Sequence, residues 1–322
     1  ATFARMDKLT AQGNLPTACN FILTAGNLTA LNKVDDDTNT QRIKAGLKPL
    51  VRPVNGGTCI LKQGLQNSVK TESAKRVRQH LMPLQMGLGC PAGPEKLAHH
   101  RRADYESGGY SIPMIDGING FNDMERPAMH EAAAVVWPES SSMFKAYYGM
   151  PSLCMYHYHD DEGNACIRVI WGENGSRMGC ILGSIGFDIT MDHFVYRHLS
   201  QKHPTVNFKA LTDDLPPAIP CPTRTASHEE WERHYDYIAE IFADYDTLGN
   251  PVGMFRHKSK CKILLQPWAP HPLSNIRSNG ITLNLVWDAI TLGGAPIGTQ
   301  DFIRAETKAK LASAQEQSAA IL

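Results

Sequence analysis

Residues 211–215 read Leu-Thr-Asp-Asp-Leu, and residues 114–122 read Met-Ile-Asp-Gly-Ile-Asn-Gly-Phe-Asn. Both stretches put carboxylates at the end of an apolar run, with Asp213 and Asp214 in the first and Asp116 in the second. Two strands of this kind, lying side by side, could hold two hard cations about 3.5–4 Å apart. An Asp-Asp pair is also common in surface turns, so the order of the surrounding motifs has to decide between a turn and a metal site.

The composition of the 322 residues is that of an ordinary globular protein, with 42% apolar and 20% charged residues. This length suits one large domain or two to three small ones. No apolar run approaches the roughly 18 residues of a membrane helix, so we expect no membrane association. The N-terminus lacks both a signal-peptide pattern and a starting Met, which favours an interior fragment. The eight cysteines form no C-x-x-C pair, so the usual structural zinc spacing is absent and a reducing compartment is favoured.

The net charge is zero, but the charges are unevenly distributed. Residues 1–110 contain fifteen Lys and Arg against eight Asp and Glu, an excess of seven positive charges that the remaining residues balance. A basic lobe before an acidic one suits a phosphate-binding part followed by a metal-binding part. A chance excess of exposed Lys is the alternative.

The predicted elements alternate between strands and helices. We expect two short strands over 31–33 and 49–54, joined by a solvated loop, and a more regular pattern from residue 110. The later elements are strand 110–115, helix 128–137, hairpin 153–157 with 166–171, helix 181–199, strand 206–211, a helix from the capping box 227–230 to about 249, strands 262–265 and 281–287, and helix 301–317. An antiparallel sheet with helices on one face fits this order.

Seven segments, in this order, resemble motifs of the reverse transcriptases of non-long-terminal-repeat (LINE-type) retrotransposons. They are 52–54, 85–87 with 93–95, 116–121, 175–183, 211–215, 253–261 and 292–298. Each segment alone is weak evidence, whereas seven in the correct order are specific. The resemblance covers roughly residues 31 to 311.

The resemblance implies an α+β, right-hand polymerase fold. We expect mixed fingers over 1–109, an antiparallel-sheet palm over 110–275, and the palm end with the beginning of a helical thumb over 276–322. It also implies RNA-directed DNA synthesis by two-metal phosphoryl transfer. Asp116 and Asp213 would be ligands of both metals, and Asp214 would support them or bind the primer-side metal. The ions would be two Mg²⁺, for which Mn²⁺ could substitute.

Six residues are assigned to the incoming nucleotide by the same resemblance: Lys33, Arg52, Phe121, Met178, Gly179 and Lys260. Arg52, with Lys33 across the proposed hairpin, would grip the triphosphate. Lys260 would approach the leaving pyrophosphate, Phe121 would sense the sugar, and Gly179 would allow close backbone approach. The alternatives are a solvated strand charge for Arg52, a surface position for Lys260 and a core position for Phe121.

Three residues depart from the family pattern. Met178 replaces the usual Gln, Thr212 replaces a small Ala or Val, and Leu88 replaces an aromatic residue. The three aspartates are intact, which favours an active enzyme. The alternatives are a decayed retroelement copy acting as an RNA-binding scaffold, or a maturase-like helper. His157 and His159 beside Asp160 form a second, weaker candidate metal site at a predicted hairpin turn.

The implied partners are an RNA template, a DNA primer and deoxynucleoside triphosphates. We expect the chain to belong to a longer polyprotein with an endonuclease, in an intracellular location that is nuclear if the element is eukaryotic.

Overall fold

The structure is a computed structural model that describes residues 8, 9, 12, 14, 16–56, 75–88, 90–160, 162–177 and 179–319. The chain divides into two compact units, each built from two separate segments. Unit 1 contains the described residues up to His80 together with Asn119–Thr190. Unit 2 contains Leu81–Ile118 and the described residues from Met191 onward. The functional boundaries expected at residues 109 and 275 stay a prediction.

The four helices predicted from residue 110 onward are present, whereas the helices over Gly120–Asp123 and Ser141–Tyr148 were not predicted. In chain order the α-helices are α1 (Thr17–Thr24), α2 (Asp36–Lys44), α3 (Gly93–Glu106), α4 (Gly120–Asp123), α5 (Arg126–Val136), α6 (Ser141–Tyr148), α7 (Ile181–Met191), α8 (Arg197–Lys202), α9 (His228–Gly249) and α10 (Gln300–Ala319). Residues 75–81 are also helical, and a π-helical stretch, Asp192–Tyr196, lies between α7 and α8. Short 3₁₀ turns occupy Pro138–Ser140 and Asn250–Val252. Within the described residues, no helix has the length and apolar character that crossing a bilayer requires.

The strands are short, and most of them pair with a strand distant in sequence. They are β1 (Gly26–Asn32), β2 (Val51–Gly56), β3 (Tyr110–Met114), β4 (Gly117–Ile118), β5 (Ser152–His159), β6 (Ala165–Gly172), β7 (Ile219–Pro220), β8 (Phe255–Arg256), β9 (Lys262–Leu264), β10 (Arg277–Ser278), β11 (Ile281–Thr282), β12 (Asn284–Val286), β13 (Ala289–Leu292) and β14 (Ala295–Gly298). The predicted hairpin of β5 and β6 is confirmed, with Ser152 opposite Gly172 and His159 opposite Ala165.

Unit 1 contains a four-stranded mixed sheet of order β2-β1-β5-β6. The two predicted N-terminal strands are confirmed as the antiparallel pair β1 and β2. The prediction of a solvated loop between them is wrong, because α2 forms there. Asp35 caps this helix by accepting a 2.7 Å hydrogen bond from the Thr38 N–H. Acidic residues in the first turn of α2 and basic residues in its last turn complement the helix dipole.

Unit 2 contains a second four-stranded sheet, of order β12-β9-β3-β7. The expected purely antiparallel sheet is wrong in one respect. β3 runs antiparallel to both neighbours, but β12 and β9 are parallel. The chain leaves β9 and returns through residues 265–283 to enter β12 in the same direction, and this crossover makes the sheet mixed.

The core of unit 2 lies where α3 and the β13–β14 hairpin pack near β3. The buried residues of α3 recur every four positions, at Gly93, Leu97, Arg101 and Tyr105. Leu97 and Tyr105 belong to one apolar cluster with Ile112 of β3 and with residues of the hairpin. Helical spacing therefore turns one face of α3 toward the sheet.

The predicted capping box and aromatic face of α9 are confirmed. The Ser227 hydroxyl accepts from the Glu230 N–H, and the Glu230 carboxylate accepts from the Ser227 N–H at 2.7 Å. The apolar side chains spaced along the helix are all buried: Trp231, Tyr235, Ile238, Phe242 and Tyr245. This buried stripe holds α9 against the rest of unit 2.

The strand predicted over 281–287 is broken into two pieces. β11 pairs with β10 through the turn Asn279-Gly280, where both residues have positive φ, whereas β12 pairs with β9. Asn-Gly is the preferred sequence for such a two-residue hairpin turn. Two different partner strands therefore divide one alternating run at Leu283.

Candidate active site

One pair of residues in unit 2 brings the predicted acidic residues together. The Ile115 N–H donates to the Leu215 carbonyl at 3.0 Å, and the Leu215 N–H donates to the Ile115 carbonyl at 3.0 Å. In this antiparallel register, Asp116 lies across from Asp214. Asp116, Asp213 and Asp214 are all partly buried. The two sequence motifs therefore meet at one place in the fold.

Asp213 lies in a two-residue turn. Leu211 and Asp214 exchange backbone hydrogen bonds of 2.8 and 3.0 Å, and Thr212 has a φ of +57°. The strand predicted over 206–211 is wrong as a regular element, because its residues form isolated bridges with different partners. Pro216 and Pro217 follow the turn, and proline has no N–H with which to continue a ladder.

The acidic cluster carries an excess of negative charge. Burial, followed by the charges of Asp213 and Asp116, raises the pKa of Asp214 from 3.8 to about 6. The Lys260 ammonium lies 3.6 Å from an Asp116 carboxylate oxygen and acts in the opposite direction. The Lys260 side chain is 61% exposed, so this ion pair is well solvated. Grouped carboxylate oxygens with surplus charge are the donor set that Mg²⁺ prefers, so these residues fit a divalent cation.

Lys260 reaches Asp116 because β8, which precedes Lys260 in the chain, pairs with β4, which follows Asp116. Gly117 pairs with Arg256, and the His257 N–H donates to the Asp116 carbonyl at 2.8 Å. The His257 ring nitrogen Nδ1 then accepts from the Lys260 N–H at 3.3 Å, which closes the turn before the lysine. The fold thus brings Lys260 beside Asp116, while the predicted approach of Lys260 to a leaving pyrophosphate stays a prediction.

Two buried residues behind the acids have no role in the sequence prediction. The Asp116 N–H points to the Cys261 sulfur at 3.4 Å, and burial raises the pKa of this thiol to about 11. Tyr245 of α9 is fully buried, and burial together with nearby negative charge raises its pKa. Tyr245 lies on the predicted apolar face of α9, so the pattern indicates its burial but not its neighbours.

Arg101 supports the base of the acidic turn. It is fully buried in α3 and donates to the carbonyl oxygens of Pro216 and, at 2.7 Å, Asn207, the two arms of the turn. Its charge is balanced by Asp104 at 2.6 Å. This supporting role was not predicted from the sequence, although the four-residue spacing of Arg101 from Leu97 and Tyr105 places it on the buried face of α3.

A second group of possible metal ligands lies on α9 and just after α8. Ligand atoms of His203, Glu240 and Asp244 lie within 4.8 Å of one another. Among the described residues, Asp116, Asp213 and Asp214 do not form so close a group. The Lys202 ammonium is 2.6 Å from an Asp244 oxygen, and His203 Nε2 is 2.8 Å from the other. The Asp244 carboxylate is therefore already paired within the fold. The weaker candidate around His157 is a turn, where the Asp160 carboxylate accepts from the Asn164 N–H at 2.7 Å.

The remaining predicted nucleotide residues lie in unit 1. Arg52 pairs with Leu31 across the β1–β2 ladder, and the Lys33 N–H donates to the Leu50 carbonyl just beyond it. Arg52 and Lys33 are therefore diagonal neighbours on one face of the pair, and both are exposed. This arrangement leaves both cations accessible to solvent.

Phe121 and Gly179 lie in other elements of unit 1. Phe121 in α4 is partly buried and stacks on the buried Phe187, with ring centroids 4.4 Å apart. Gly179 is exposed and has a φ of +89°, which favours glycine. Met178 lies outside the described residues. The stacking indicates that Phe121 has a packing role, and a role at a sugar stays a prediction.

Two buried arginines hold the loop at residues 174–177. Arg126 donates to the carbonyls of Gly175 at 3.1 Å and Asn174 at 3.3 Å. Arg177 donates to the Tyr147 carbonyl at 2.9 Å, and its guanidinium lies 4.9 Å from the Tyr148 ring centroid. Neither arginine has an individual role in the sequence prediction, and no local sequence pattern indicates that their side chains are buried.

Comparison with known proteins identifies relatives through structure alone. No protein-family model matches the chain, and no curated protein sequence does. The telomerase from Candida albicans, solved with a TWJ fragment of telomeric RNA, is similar with a TM-score of 0.54 and 11% identity. This match covers 89% of the present chain and 46% of that telomerase. The apo telomerase from Candida tropicalis is similar with a TM-score of 0.51 and 11% identity, covering 86% and 46% of the two chains.

The present chain thus spans about half the length of the telomerase chains that it matches. At this identity the likeness concerns the fold. The chain has a mixed α/β architecture with mixed sheets, and its fold is similar to that of these telomerases.

Proposed function

We propose that this chain is the polymerase portion of an RNA-directed DNA polymerase. The observation that carries the proposal is the Ile115–Leu215 pair, which gathers Asp116, Asp213 and Asp214 on a fold similar to that of telomerase. In the proposed reaction a primer 3′-hydroxyl attacks the α-phosphorus of a deoxynucleoside triphosphate. A new P–O bond forms, the α–β phosphate bond breaks, pyrophosphate leaves, and the hydroxyl proton passes to solvent.

Asp116 and Asp213 would hold two Mg²⁺ ions, or Mn²⁺ in their place, with Asp214 as support or as a ligand on the primer side. Such ions supply electrostatic stabilisation of the attacking and leaving oxygens. The raised pKa of Asp214, which comes first from burial and then from the charges of Asp213 and Asp116, supports this role because a bound cation would offset the repulsion between the carboxylates. Lys260, which lies beside Asp116, is suited to stabilise the negative charge that develops on the leaving pyrophosphate.

By the resemblance, the residues that would bind the nucleotide also include Arg52, Lys33, Phe121, Met178 and Gly179. The exposed pair of cations on β1 and β2 suits a triphosphate, because guanidinium and ammonium groups donate to phosphate oxygens. The positive φ of Gly179 suits close backbone approach to a nucleotide or template.

An RNA template and a DNA primer are the proposed partners. The telomerase relative was solved with RNA, which supports an RNA partner here. We further propose a LINE-type origin, on the ordered sequence motifs, and a longer parent polyprotein with an endonuclease. A scaffold-like remnant and a maturase-like helper are the competing functions, and neither requires nucleotide addition.

Primer extension on matched RNA and DNA templates, with Mg²⁺ or Mn²⁺, tests the proposal. Wild type should extend the primer, and Asp116→Asn or Asp213→Asn should reduce extension by about a thousandfold or more, because several kcal/mol of barrier depend on the metal clamp. Primer–template affinity, measured by fluorescence anisotropy, should change little.

Asp236→Asn is the matched control, because Asp236 lies on an exposed position of α9. It should extend primers like wild type. Near-normal extension by either aspartate variant of the cluster would refute the site, and duplex binding without extension by wild type would favour the scaffold alternative.

A further inference from the structure

The turn that presents Asp213 depends on a strained residue. Thr212 has a φ of +57°, a conformation that β-branched residues rarely adopt. Such a conformation persists only where the surrounding structure fixes it. The contacts that fix Thr212 are therefore of interest for the position of the neighbouring carboxylates.

Gln85 fixes both main-chain groups of Thr212. Its side-chain nitrogen donates to the Thr212 carbonyl at 3.0 Å, and its side-chain oxygen accepts from the Thr212 N–H at 2.9 Å. The same oxygen also accepts from the Gly87 N–H at 2.8 Å. Gln85 is fully buried, so water does not compete for these hydrogen bonds.

The segment that carries Gln85 is docked directly on the turn. The Met86 N–H donates to the Ala210 carbonyl at 2.8 Å, and the Ala210 N–H donates to the Leu84 carbonyl at 2.7 Å. A Cβ atom at Gly87 would lie 2.5 Å from the Thr212 hydroxyl oxygen. The close approach therefore requires glycine at position 87, and it places the Gln85 amide against Thr212.

The chemistry of an amide suits this position. Glutamine supplies one donor and one acceptor without net charge, which matches the carbonyl and N–H of a single residue. A glutamate would lose the donor and add negative charge beside an acidic cluster, and a lysine would introduce a competing cation. The Tyr196 hydroxyl, another neutral group, adds a second donor to the Thr212 carbonyl at 2.8 Å.

We propose that Gln85 is a positioning residue for the reaction, which acts through Thr212 to fix the turn bearing Asp213 and Asp214. This inference rests on the proposed polymerase function. Gln85 lies 127 residues from Thr212 in sequence and makes its contacts with the main chain of the turn, so it acts on the carboxylates only through Thr212.

The test compares Gln85→Ala and the isosteric Gln85→Glu with a matched control, Gln266→Ala. Gln266 is also buried and donates to two main-chain carbonyls of unit 2, those of Tyr105 and Tyr110. We expect both Gln85 variants to lower kcat for nucleotide addition by about a hundredfold, the effect of a small misplacement of reacting groups. The primer–template Kd should stay within about threefold, and Gln266→Ala should lose comparable thermal stability while keeping near-normal kcat.

Rescue separates positioning from general stability. Glycine adopts positive φ without strain, so adding Thr212→Gly to Gln85→Ala should restore kcat by about tenfold or more. Equal loss of kcat in the Gln85 and Gln266 variants, or no rescue by Thr212→Gly, would overturn the proposal.

Mn²⁺ binding, followed by electron paramagnetic resonance, gives a readout that needs no turnover. Gln85→Glu and Gln85→Ala should weaken binding at the aspartates about tenfold, and Thr212→Gly should restore it. An inactive wild type that shows this pattern would refute the proposed function but keep the role of Gln85, whereas unchanged Mn²⁺ affinity in folded variants would refute that role.

Discussion

The acidic turn of unit 2 and the loop at 174–177 of unit 1 are both fixed by buried side chains that donate to main-chain carbonyls, but the groups at the tip of the turn are neutral and those at the loop are cationic. The tip of the acidic turn is held by the neutral amide of Gln85 and the hydroxyl of Tyr196. In unit 1 the Arg126 guanidinium donates to a carbonyl of the loop, whereas Arg177 belongs to the loop and donates to the Tyr147 carbonyl outside it. Both kinds of side chain satisfy buried main-chain groups, as the interior requires.

The two regions therefore differ in the charge that their supporting side chains place nearby. The neutral groups at the tip add no positive charge beside Asp213 and Asp214, and burial, followed by the charges of Asp213 and Asp116, raises the pKa of Asp214. In unit 1 neither arginine forms an ion pair with a carboxylate among the described residues, so their donors serve carbonyl groups. In the acidic turn the charged support, Arg101, thus lies at the base and is paired with Asp104, while neutral groups hold the tip.

The largest effect should come from removing a guanidinium support. Arg126→Met leaves the carbonyls of Gly175 and Gly172 without their donor, and we expect the free energy of unfolding to fall by about 3 kcal/mol or more. Urea unfolding measures the loss. Arg168→Met is the control, because the exposed Arg168 lies over the Tyr158 ring and should contribute about 0.5 kcal/mol or less. Equal effects of the two variants would remove the contrast between the loops.

Asp214→Asn should sharpen the contrast through its pH dependence. The folded-state pKa of Asp214 is raised from 3.8 to about 6, so its ionised form destabilises the folded state above pH 6. This destabilisation disappears as pH falls from 6 to 4, because Asp214 binds a proton at a higher pH in the folded protein than in the unfolded chain. We expect the asparagine variant to be more stable than wild type by about 2 kcal/mol at pH 7.5, after allowance for partial solvent screening, and by almost nothing at pH 4.

Thermal unfolding in EDTA at both pH values measures this difference, since the chelator removes bound metal. A constant difference between pH 4 and 7.5 would show that the pKa of Asp214 is not raised in the folded protein.

Phe121→Val tests whether Phe121 of unit 1 selects deoxynucleotides over ribonucleotides or serves only in packing. If the ring excludes the 2′-hydroxyl of a nucleotide, the variant should improve ribonucleotide use by about tenfold, or about 1.4 kcal/mol, and keep deoxynucleotide addition within an order of magnitude. If the stack on Phe187 is only packing, both activities should fall together with stability. Phe187→Val is the control, because Phe187 is fully buried and its loss should lower both activities equally.

The smallest effect should come from a helix cap. Ser227→Ala removes the hydroxyl half of the capping box of α9 and should lower the free energy of unfolding by about 1 kcal/mol. Ser227→Asn should restore most of this loss, because asparagine is also a good cap. Denaturant unfolding measures both, and no loss in the alanine variant would show that packing alone fixes the start of α9.

Sequence patterns predicted the elements whose signals are local. The capping box and the aromatic stripe of α9 define a helix without reference to any other segment, and the alternating runs around residues 159–165 define a hairpin. Predictions were wrong where a partner decided the outcome. Residues 206–211 form bridges in place of a strand because prolines interrupt the ladder, and β12 is parallel to β9 because of a crossover.

The sequence by itself singled out Asp116, Asp213 and Asp214 as candidate metal ligands, because carboxylates at the ends of apolar runs and the ordered motifs are properties of the chain. Only the tertiary structure decided that Asp116 faces Asp214, that Gln85 fixes Thr212, and that Arg101 spans the arms of the turn. These contacts join residues about a hundred positions apart and arise because buried polar groups must find partners wherever the fold brings them. No local pattern encodes that pairing.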